Sequence, residues 1–155
     1  MTAATDLVLT STEAGVTTVI MNRPEALNAL SAGLRNRLTE VFTDLTEDSA
    51  TEVIIFTGKG RAFTVGLDLK ELGGETAADT VVSKDLGKAM LNVNKPIIGA
   101  INGYAITGGF ELALMCDFML ASEHAKFADT HARVGVVPGW GLSQRLPRLI
   151  GINRA

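Results

Sequence analysis

Two apolar strands, each followed by a glycine-containing loop that opens a helix, constrain this fold more than any other feature. The strands are 52–57 (EVIIFT) and 97–101 (IIGAI), and the segments that follow them are 61–72 and 102–117. Short, continuously apolar strands are typical of sheets that are buried on both faces. Strands that alternate with helices therefore predict a layered α/β domain.

The remaining segments supply further elements of such a domain. Ser31 can cap a helix whose apolar residues recur every three or four positions from Leu34 to Leu45. The other predicted elements are a hairpin of 7–12 and 16–21, helices near 67–72 and 79–92, a helix from 108, a strand at 117–121 and a helix at 141–150. No linker or repeat interrupts the chain, so we predict one domain over residues 1–155.

Composition excludes several functional classes. The chain is 46% hydrophobic and 20% charged, which is typical of a globular protein rather than a disordered one. The net charge of −3 and the lack of a basic cluster argue against a nucleic-acid partner. The apolar run 112–121 contains Asp117 and is shorter than the roughly 20 residues of a membrane span, so no membrane partner is expected. A single cysteine, Cys116, and an N-terminus without signal-peptide features predict a cytoplasmic location.

The two glycine-containing loops are candidate anion sites. The first N–H groups of a helix lack partners within the helix, and the helix dipole favours negative charge there. Gly66, Gly108 and Gly109 would let a ligand approach the backbone closely. Two such helix starts could share one oxyanion. The alternative, equally open from spacing alone, is that these glycines only make tight turns.

Two acidic residues near these helix starts have two interpretations each. Glu111 stands in an almost entirely apolar segment, where it is either a helix-dipole acid or a general base that faces a pocket. Asp68 fits a capping role better than a catalytic one. His124, His131 and Cys116 lack metal-ligand spacing, and 139–141 (GWG) lacks the third glycine of a dinucleotide motif. We expect no metal and no separate cofactor.

Four blocks of the chain, in order and with their spacing, resemble the enoyl-CoA hydratase/isomerase (crotonase) superfamily. They are RPEALNALS at 23–31, AFTVGLDLKEL at 62–72, KPIIGAINGYAITGGFELALMCD at 95–117 and KFADTHARVGVVPGWGLSQRLPRLIG at 126–151. The resemblance implies a spiral of ββα units and an acyl-CoA or enoyl-CoA substrate. It also implies an oxyanion hole made by the N–H groups of Leu67 and Gly108.

The same resemblance implies a set of residues that contact the substrate. They are Ala26, Leu27, Val65, Leu67, Asp68, Lys70 and Gly108. Val65 departs from the small residue that is usual at this position in the family. Hydratases of the family use two glutamates around one water. Glu111 matches the first, whereas His131 occupies the position of the second.

The resemblance leads to one preferred function and several alternatives. The preferred function is hydration of a 2-enoyl-CoA, with Glu111 and His131 as catalytic residues. The alternatives are double-bond isomerisation, thioester hydrolysis, or acyl-CoA binding with weak or no catalysis. Family members usually continue into C-terminal helices that close the acyl pocket and build a trimer. We expect these helices to be absent here, and a homo-oligomer (trimer or hexamer) where that region is present.

Overall fold

The computed structural model describes residues 6–73 and 85–155. Five strands form the larger sheet in the order β1-β2-β3-β5-β7. These strands are β1 (Val8–Glu13), β2 (Val16–Met21), β3 (Val53–Gly58), β5 (Ile97–Ile101) and β7 (Phe118–Ala121). Only the β1–β2 pair is antiparallel, and the other neighbours run parallel. Ala14 and Gly15 both have positive φ, as expected for the tight turn of the predicted hairpin.

A second sheet of three short parallel strands lies beside the first. It contains β4 (Ala62–Thr64), β6 (Tyr104–Ile106) and β8 (Lys126–Ala128) in that order. Each of these strands follows a strand of the larger sheet and precedes a helix. The repeat β-β-α therefore occurs at β3-β4, β5-β6 and β7-β8, which confirms the predicted spiral of ββα units. Three-residue strands are too short to show an alternating pattern, so the second sheet was not predicted from the residues.

Six helices accompany the strands in the part of the chain that the structure describes. They are α1 (Ala32–Glu47), α2 (Leu69–Leu72), α3 (Leu86–Asn92), α4 (Gly108–Met115), α5 (His131–Val134) and α6 (Leu142–Ile150). Ser31 caps α1 as predicted, since its side chain accepts a hydrogen bond from the N–H of Leu34 at 3.2 Å. The first part of the helix predicted at 79–92 lies outside the described residues.

Two predictions about these elements need correction. The helix expected near 67–72 begins at Leu69, because the Asp68 side chain accepts a hydrogen bond from the N–H of Lys70 and caps it there. Strand β3 was expected to be buried on both faces. Ile54 and Phe56 are fully buried on one face, whereas Val53 and Ile55 on the other face are only partly covered.

Three phenylalanine side chains in edge-to-face contact connect α1 to both sheets. The rings of Phe42 on α1 and Phe56 on β3 lie 5.2 Å apart at 88°. The rings of Phe56 and Phe63, on β4, lie 5.1 Å apart at 74°. All three side chains are completely buried. Edge-to-face contacts of this kind add to the stabilisation from apolar burial, so Phe56 is a central residue of the core.

Replacement of Phe56 by Ala should therefore strongly destabilise the fold. We expect a loss of about 3–5 kcal/mol in the free energy of unfolding, because the substitution removes buried area and leaves a cavity between two rings. Urea unfolding followed by circular dichroism measures it. Leu91→Ala is the control, since Leu91 on α3 is 63% exposed and its truncation should change stability by less than about 1 kcal/mol. Equal effects of the two substitutions would contradict this description of the core.

Candidate active site

Leu67 lies at the end of the loop that follows β4, and its N–H faces away from the neighbouring chain segment. A parallel bridge joins Leu30 to Leu67. In this bridge the N–H of Leu30 donates to the carbonyl of Gly66 at 2.8 Å, and the N–H of Asp68 donates to the carbonyl of Leu30 at 3.4 Å. Because successive amides of an extended segment point in opposite directions, the N–H of Leu67 points away from Leu30.

Gly108 is the first residue of α4, where backbone N–H groups have no acceptor within the helix. The preceding residue, Thr107, has φ 55° and ψ −115°, and its side chain does not cap the helix. A positive φ is rare for a β-branched residue and is often found at functional sites. Thr107 is held by a hydrogen bond from its N–H to the carbonyl of Ala128 at 2.8 Å and by a contact between its hydroxyl and that of Thr130.

The loops that carry Leu67 and Gly108 touch each other. Gly66 has φ 85°, and a Cβ atom at this position would lie 2.9 Å from the carbonyl oxygen of Ile106 and 3.0 Å from the amide nitrogen of Gly108. Gly66 therefore meets both requirements for glycine, a left-handed conformation and a close backbone approach. This proximity is what two N–H donors to one oxyanion require, and the oxyanion hole itself stays a prediction.

Both loops open into a cavity of about 230 Å³. Apolar side chains from residues 65–72 and 134–140 form most of its wall, and its polar members are few. The residues around it are Arg35, Val65, Leu67, Leu69, Leu72, Thr107, Gly108, Glu111, Thr130, His131, Val134, Val136, Val137, Gly139 and Trp140. An apolar pocket with a few convergent polar groups is the usual form of a small-molecule site.

Glu111 lies in the first turn of α4 and is 2% exposed. Its Oε1 atom accepts hydrogen bonds from the backbone N–H groups of Trp140 at 2.8 Å and Leu142 at 3.1 Å. Its Oε2 atom lies 3.2 Å from Nε2 of His131. Both interpretations of Glu111 thus find support, because the carboxylate stands in the first helical turn and also lines the cavity. A dipole role alone does not require the contact with His131.

His131 lies at the start of α5 and is 5% exposed. Its Nε2 atom faces Glu111, and its Nδ1 atom lies 2.6 Å from Oδ1 of Asp129. The resemblance placed His131 opposite Glu111, and the structure brings the two side chains into direct contact. His124, by contrast, is exposed, as expected of a surface histidine.

The residues expected to contact coenzyme A fall into two groups. Val65, Leu67 and Gly108 line the cavity. Ala26, Leu27, Asp68 and Lys70 do not line it. Asp68 caps α2 and also forms an ion pair with Arg23 at 3.1 Å, so its predicted capping role is confirmed. Substrate contact by these residues stays a prediction.

Three residues of the site were not identified from the sequence. Asp129 binds His131, the backbone of Trp140 binds Glu111, and the side chain of Arg35 lines the cavity from α1. Burial lowers the pKa of Arg35, while the nearby Glu71 carboxylate opposes this shift. Asp129 stands two residues before His131, and this spacing is the feature of the sequence from which their contact could have been predicted. Trp140 acts through its N–H, which leaves no trace in the sequence.

The described part of the chain contains neither a metal-binding cluster nor a membrane-spanning helix. Among residues 6–73 and 85–155, no group of three or more His, Cys, Asp or Glu side chains is placed to hold a metal ion. None of the helices within these ranges is long and apolar enough to cross a membrane.

Comparison with known sequences assigns the chain to a family. The sequence model of enoyl-CoA hydratase/isomerase matches residues 11–155. The chain belongs to the enoyl-CoA hydratase/isomerase family. It is 48% identical over 148 residues to an Arabidopsis thaliana protein named probable enoyl-CoA hydratase 1, peroxisomal, and the match covers 91% of this chain. It is 37% identical over 140 residues to a crotonyl-CoA hydratase from Syntrophomonas wolfei, with 87% of this chain covered.

Solved structures of the family have the same fold as this chain. An enoyl-CoA hydratase from Mycobacterium avium superposes with a TM-score of 0.81 at 49% identity, and the match covers 96% of this chain and 62% of that structure. This chain spans only 54% of the length of the Arabidopsis and the Syntrophomonas relatives. The activity of the whole protein is therefore a proposal.

Replacement of Gly66 by Ala tests the close approach of the two loops. We expect a loss of roughly 1–3 kcal/mol in the free energy of unfolding, because the new Cβ atom meets backbone atoms and the residue must keep a positive φ. Gly139→Ala is the control, since a Cβ atom there has nothing within 4 Å and no positive φ is needed. Urea unfolding measures both variants. A Gly66→Ala protein as stable as Gly139→Ala would show that the two loops are not in contact.

Proposed function

We propose that the protein hydrates 2-enoyl-CoA thioesters through an enolate intermediate. The observation that carries this proposal is the contact between Glu111 and His131, 3.2 Å apart, in the cavity that Leu67 and Gly108 also line. An acid–base pair next to two backbone donors is suited to a reaction in which a carbonyl oxygen becomes negatively charged. The names of the relatives support the same reaction.

The proposed roles follow from the chemistry of hydration. The thioester oxygen lies between the N–H groups of Leu67 and Gly108, which stabilise the negative charge of the enolate. Glu111 takes a proton from water while the oxygen of that water bonds to the β-carbon. His131 then gives its Nε2 proton to the α-carbon of the enolate. The substrate carries coenzyme A, so the reaction requires no separate cofactor.

Isomerisation of the double bond is the second candidate. His131 occupies the position at which the family resemblance predicts a second glutamate. A base and an acid that face one substrate can move a proton between two carbons without adding water. The same cavity and the same oxyanion donors would serve both reactions.

Thioester hydrolysis through a cysteine nucleophile has less support. Cys116 is buried, and burial, with a further contribution from the Asp117 carboxylate, raises the pKa of its thiol to about 12. A thiol in this state contains very little of the reactive thiolate. Hydrolysis by activated water, and acyl-CoA binding without catalysis, stay alternatives that one assay separates.

That assay follows crotonyl-CoA in the presence of the protein. We expect loss of the conjugated double bond without release of free thiol. His131→Ala and Glu111→Gln should each lower turnover by roughly 10²–10⁴, the range for an acid–base group, with little change in acyl-CoA affinity. Glu123→Gln, at an exposed position, is the control and should keep full activity.

Each other outcome of the assay identifies an alternative. Release of thiol indicates a hydrolase, a moved double bond with a longer enoyl-CoA indicates an isomerase, and binding without turnover indicates a binding protein. Full activity of Glu111→Gln would remove Glu111 from the mechanism.

We also propose a cytoplasmic location and self-association, as a trimer or hexamer where the family's C-terminal region is present. Strand β7 is at the edge of the larger sheet, where Phe118 is 51% and Leu120 is 63% exposed. Large exposed apolar patches usually mark interaction surfaces, which supports self-association. One relative is named peroxisomal, so the location needs its own measurement.

Gel filtration with light scattering tests the association. We expect the protein to elute as an oligomer or a concentration-dependent mixture, and Leu120→Lys to shift it towards the monomer, because a buried lysine without a partner disfavours an apolar interface. Ser11→Lys adds the same charge to an exposed position of β1, at the other edge of the sheet, and should have no effect. A monodisperse monomer at all concentrations would contradict the proposal.

A further inference from the structure

Asp129 makes an unusual pair of contacts with one residue. Its Oδ1 atom accepts a hydrogen bond from the backbone N–H of His131 at 3.0 Å and lies 2.6 Å from Nδ1 of the same histidine. One carboxylate oxygen thus holds both the backbone and the ring of His131. The side chain of Asp129 is 41% exposed, whereas that of His131 is only 6% exposed. Asp129 therefore contacts the buried ring from the solvent side.

The other ring nitrogen of His131 faces a second carboxylate. Nε2 lies 3.2 Å from Oε2 of Glu111, and Oε1 of Glu111 already accepts two backbone hydrogen bonds. Those two donors occupy Oε1 and leave Oε2 as the oxygen that faces the ring. An ionised carboxylate can only accept hydrogen bonds, so a ring between two of them is most stable with a proton on each nitrogen. The contacts therefore place one carboxylate oxygen opposite each nitrogen of the His131 ring.

We propose that Asp129 is a positioning residue that keeps the Nδ1 proton on His131, so that Glu111 and Nε2 exchange one proton and restore each other after every turnover. This inference rests on the proposed function. It assigns a role to a residue that the family resemblance left without one.

The proton balance of the cycle is complete within the pair. Glu111 takes one proton from water, and the remaining hydroxide bonds to the β-carbon as the double-bond electrons move into the thioester enolate. Nε2 of His131 gives one proton to the α-carbon, which leaves a neutral ring and a protonated Glu111. That proton then passes directly from Oε2 to Nε2. Water has been added to the substrate, and the imidazolium and the carboxylate are restored without a proton from the solvent.

Charge explains why the pair needs Asp129. The groups that face His131 are Glu111 from α4 and Asp129 before α5, while Arg35 from α1 lines the same cavity. Asp129 is the carboxylate on the Nδ1 side of the ring, and its negative charge favours a proton at that nitrogen. Burial raises the pKa of the Asp129 carboxyl, but the hydrogen bonds from His131 and the charge of its ring outweigh burial and hold this pKa below its ordinary value. The Asp129 carboxylate is therefore charged at neutral pH. Its charge is lost only as the pH falls through this lowered pKa.

Asp129→Asn tests the proposal, because asparagine is isosteric but uncharged. We expect turnover of crotonyl-CoA to fall by about 10²-fold, at the lower end of the range for acid–base groups, with little change in KM. The alkaline limb of the kcat profile should move to lower pH, because one of the charges that hold the ring proton is lost. Asp44→Asn, at an exposed position of α1, is the matched control and should keep the wild-type rate and profile.

A second measurement does not depend on activity. The chain has two histidines, so His124→Gln leaves only the His131 ring in the ¹⁵N NMR spectrum. In that background we expect an Nδ1 proton that is protected from exchange with solvent. When Asp129→Asn is added, we expect this protection to be lost and the ring to titrate at lower pH than in the background protein. If Asp129→Asn does not fold by circular dichroism, Asp129→Ser replaces it, because a serine hydroxyl can still accept from the His131 N–H without a charge.

The outcomes separate this inference from the proposed function. An unchanged ring titration together with an unchanged kcat profile in Asp129→Asn would overturn the role of Asp129 even if the protein is a hydratase. No turnover of crotonyl-CoA by the wild type, with a ring titration that still depends on Asp129, would reject hydration but retain the positioning role. A lower rate with an unchanged ring titration would make Asp129 a structural residue and reject the proposal.

Discussion

The first turn of α4 lies directly against the backbone at the end of β4, and the geometry of the cavity depends on this contact. A Cβ atom on Gly109 would lie 2.0 Å from the carbonyl oxygen of Thr64, a distance that no side chain can accept. A Cβ atom on Gly66, two residues after Thr64, would lie 3.0 Å from the amide nitrogen of Gly108. These contacts between main chains bring the two helix starts together. Any larger residue would separate the donors that the proposed oxyanion hole requires.

Glu111 connects this contact to the C-terminal part of the chain. Its carboxylate accepts hydrogen bonds from the N–H groups of Trp140, before α6, and Leu142, the first residue of α6, and it faces His131 at the start of α5. A buried carboxylate without such partners would be costly, so the same contacts that stabilise Glu111 also hold the wall of the cavity. Structure and proposed chemistry therefore depend on one side chain. Its substitution should be interpreted with both roles in mind.

The change from a second carboxylate to His131 alters the chemistry more than the shape of the site. Two carboxylates in contact repel each other, whereas an imidazolium between Glu111 and Asp129 attracts both. In the proposed cycle, His131 thus serves as the acid and Glu111 as the base. Arg35 adds a further positive charge at the cavity wall, where burial lowers its pKa.

The local pattern of the sequence was sufficient for several elements of the fold. The apolar spacing of α1, the cap at Ser31, the first hairpin and the strands β3 and β5 all follow from interactions between near neighbours, and these were predicted correctly. The family resemblance added the spiral of ββα units and the pairing of Glu111 with His131. The candidate oxyanion donors, Leu67 and Gly108, could be named for the same reason, although their roles are not yet tested.

The sequence by itself determined which residue types are available to the site, and only the tertiary structure decided their contacts. The second sheet consists of three-residue strands with no readable period, so its position depends on packing against the first. The N–H groups of Trp140 and Leu142 reach Glu111 across about 30 residues of chain, and backbone donors leave no pattern in the sequence. Asp129 stands two residues from His131 in the sequence, but only the loop before α5 turns its carboxylate onto the ring. These contacts arise from long-range packing, which local spacing does not encode.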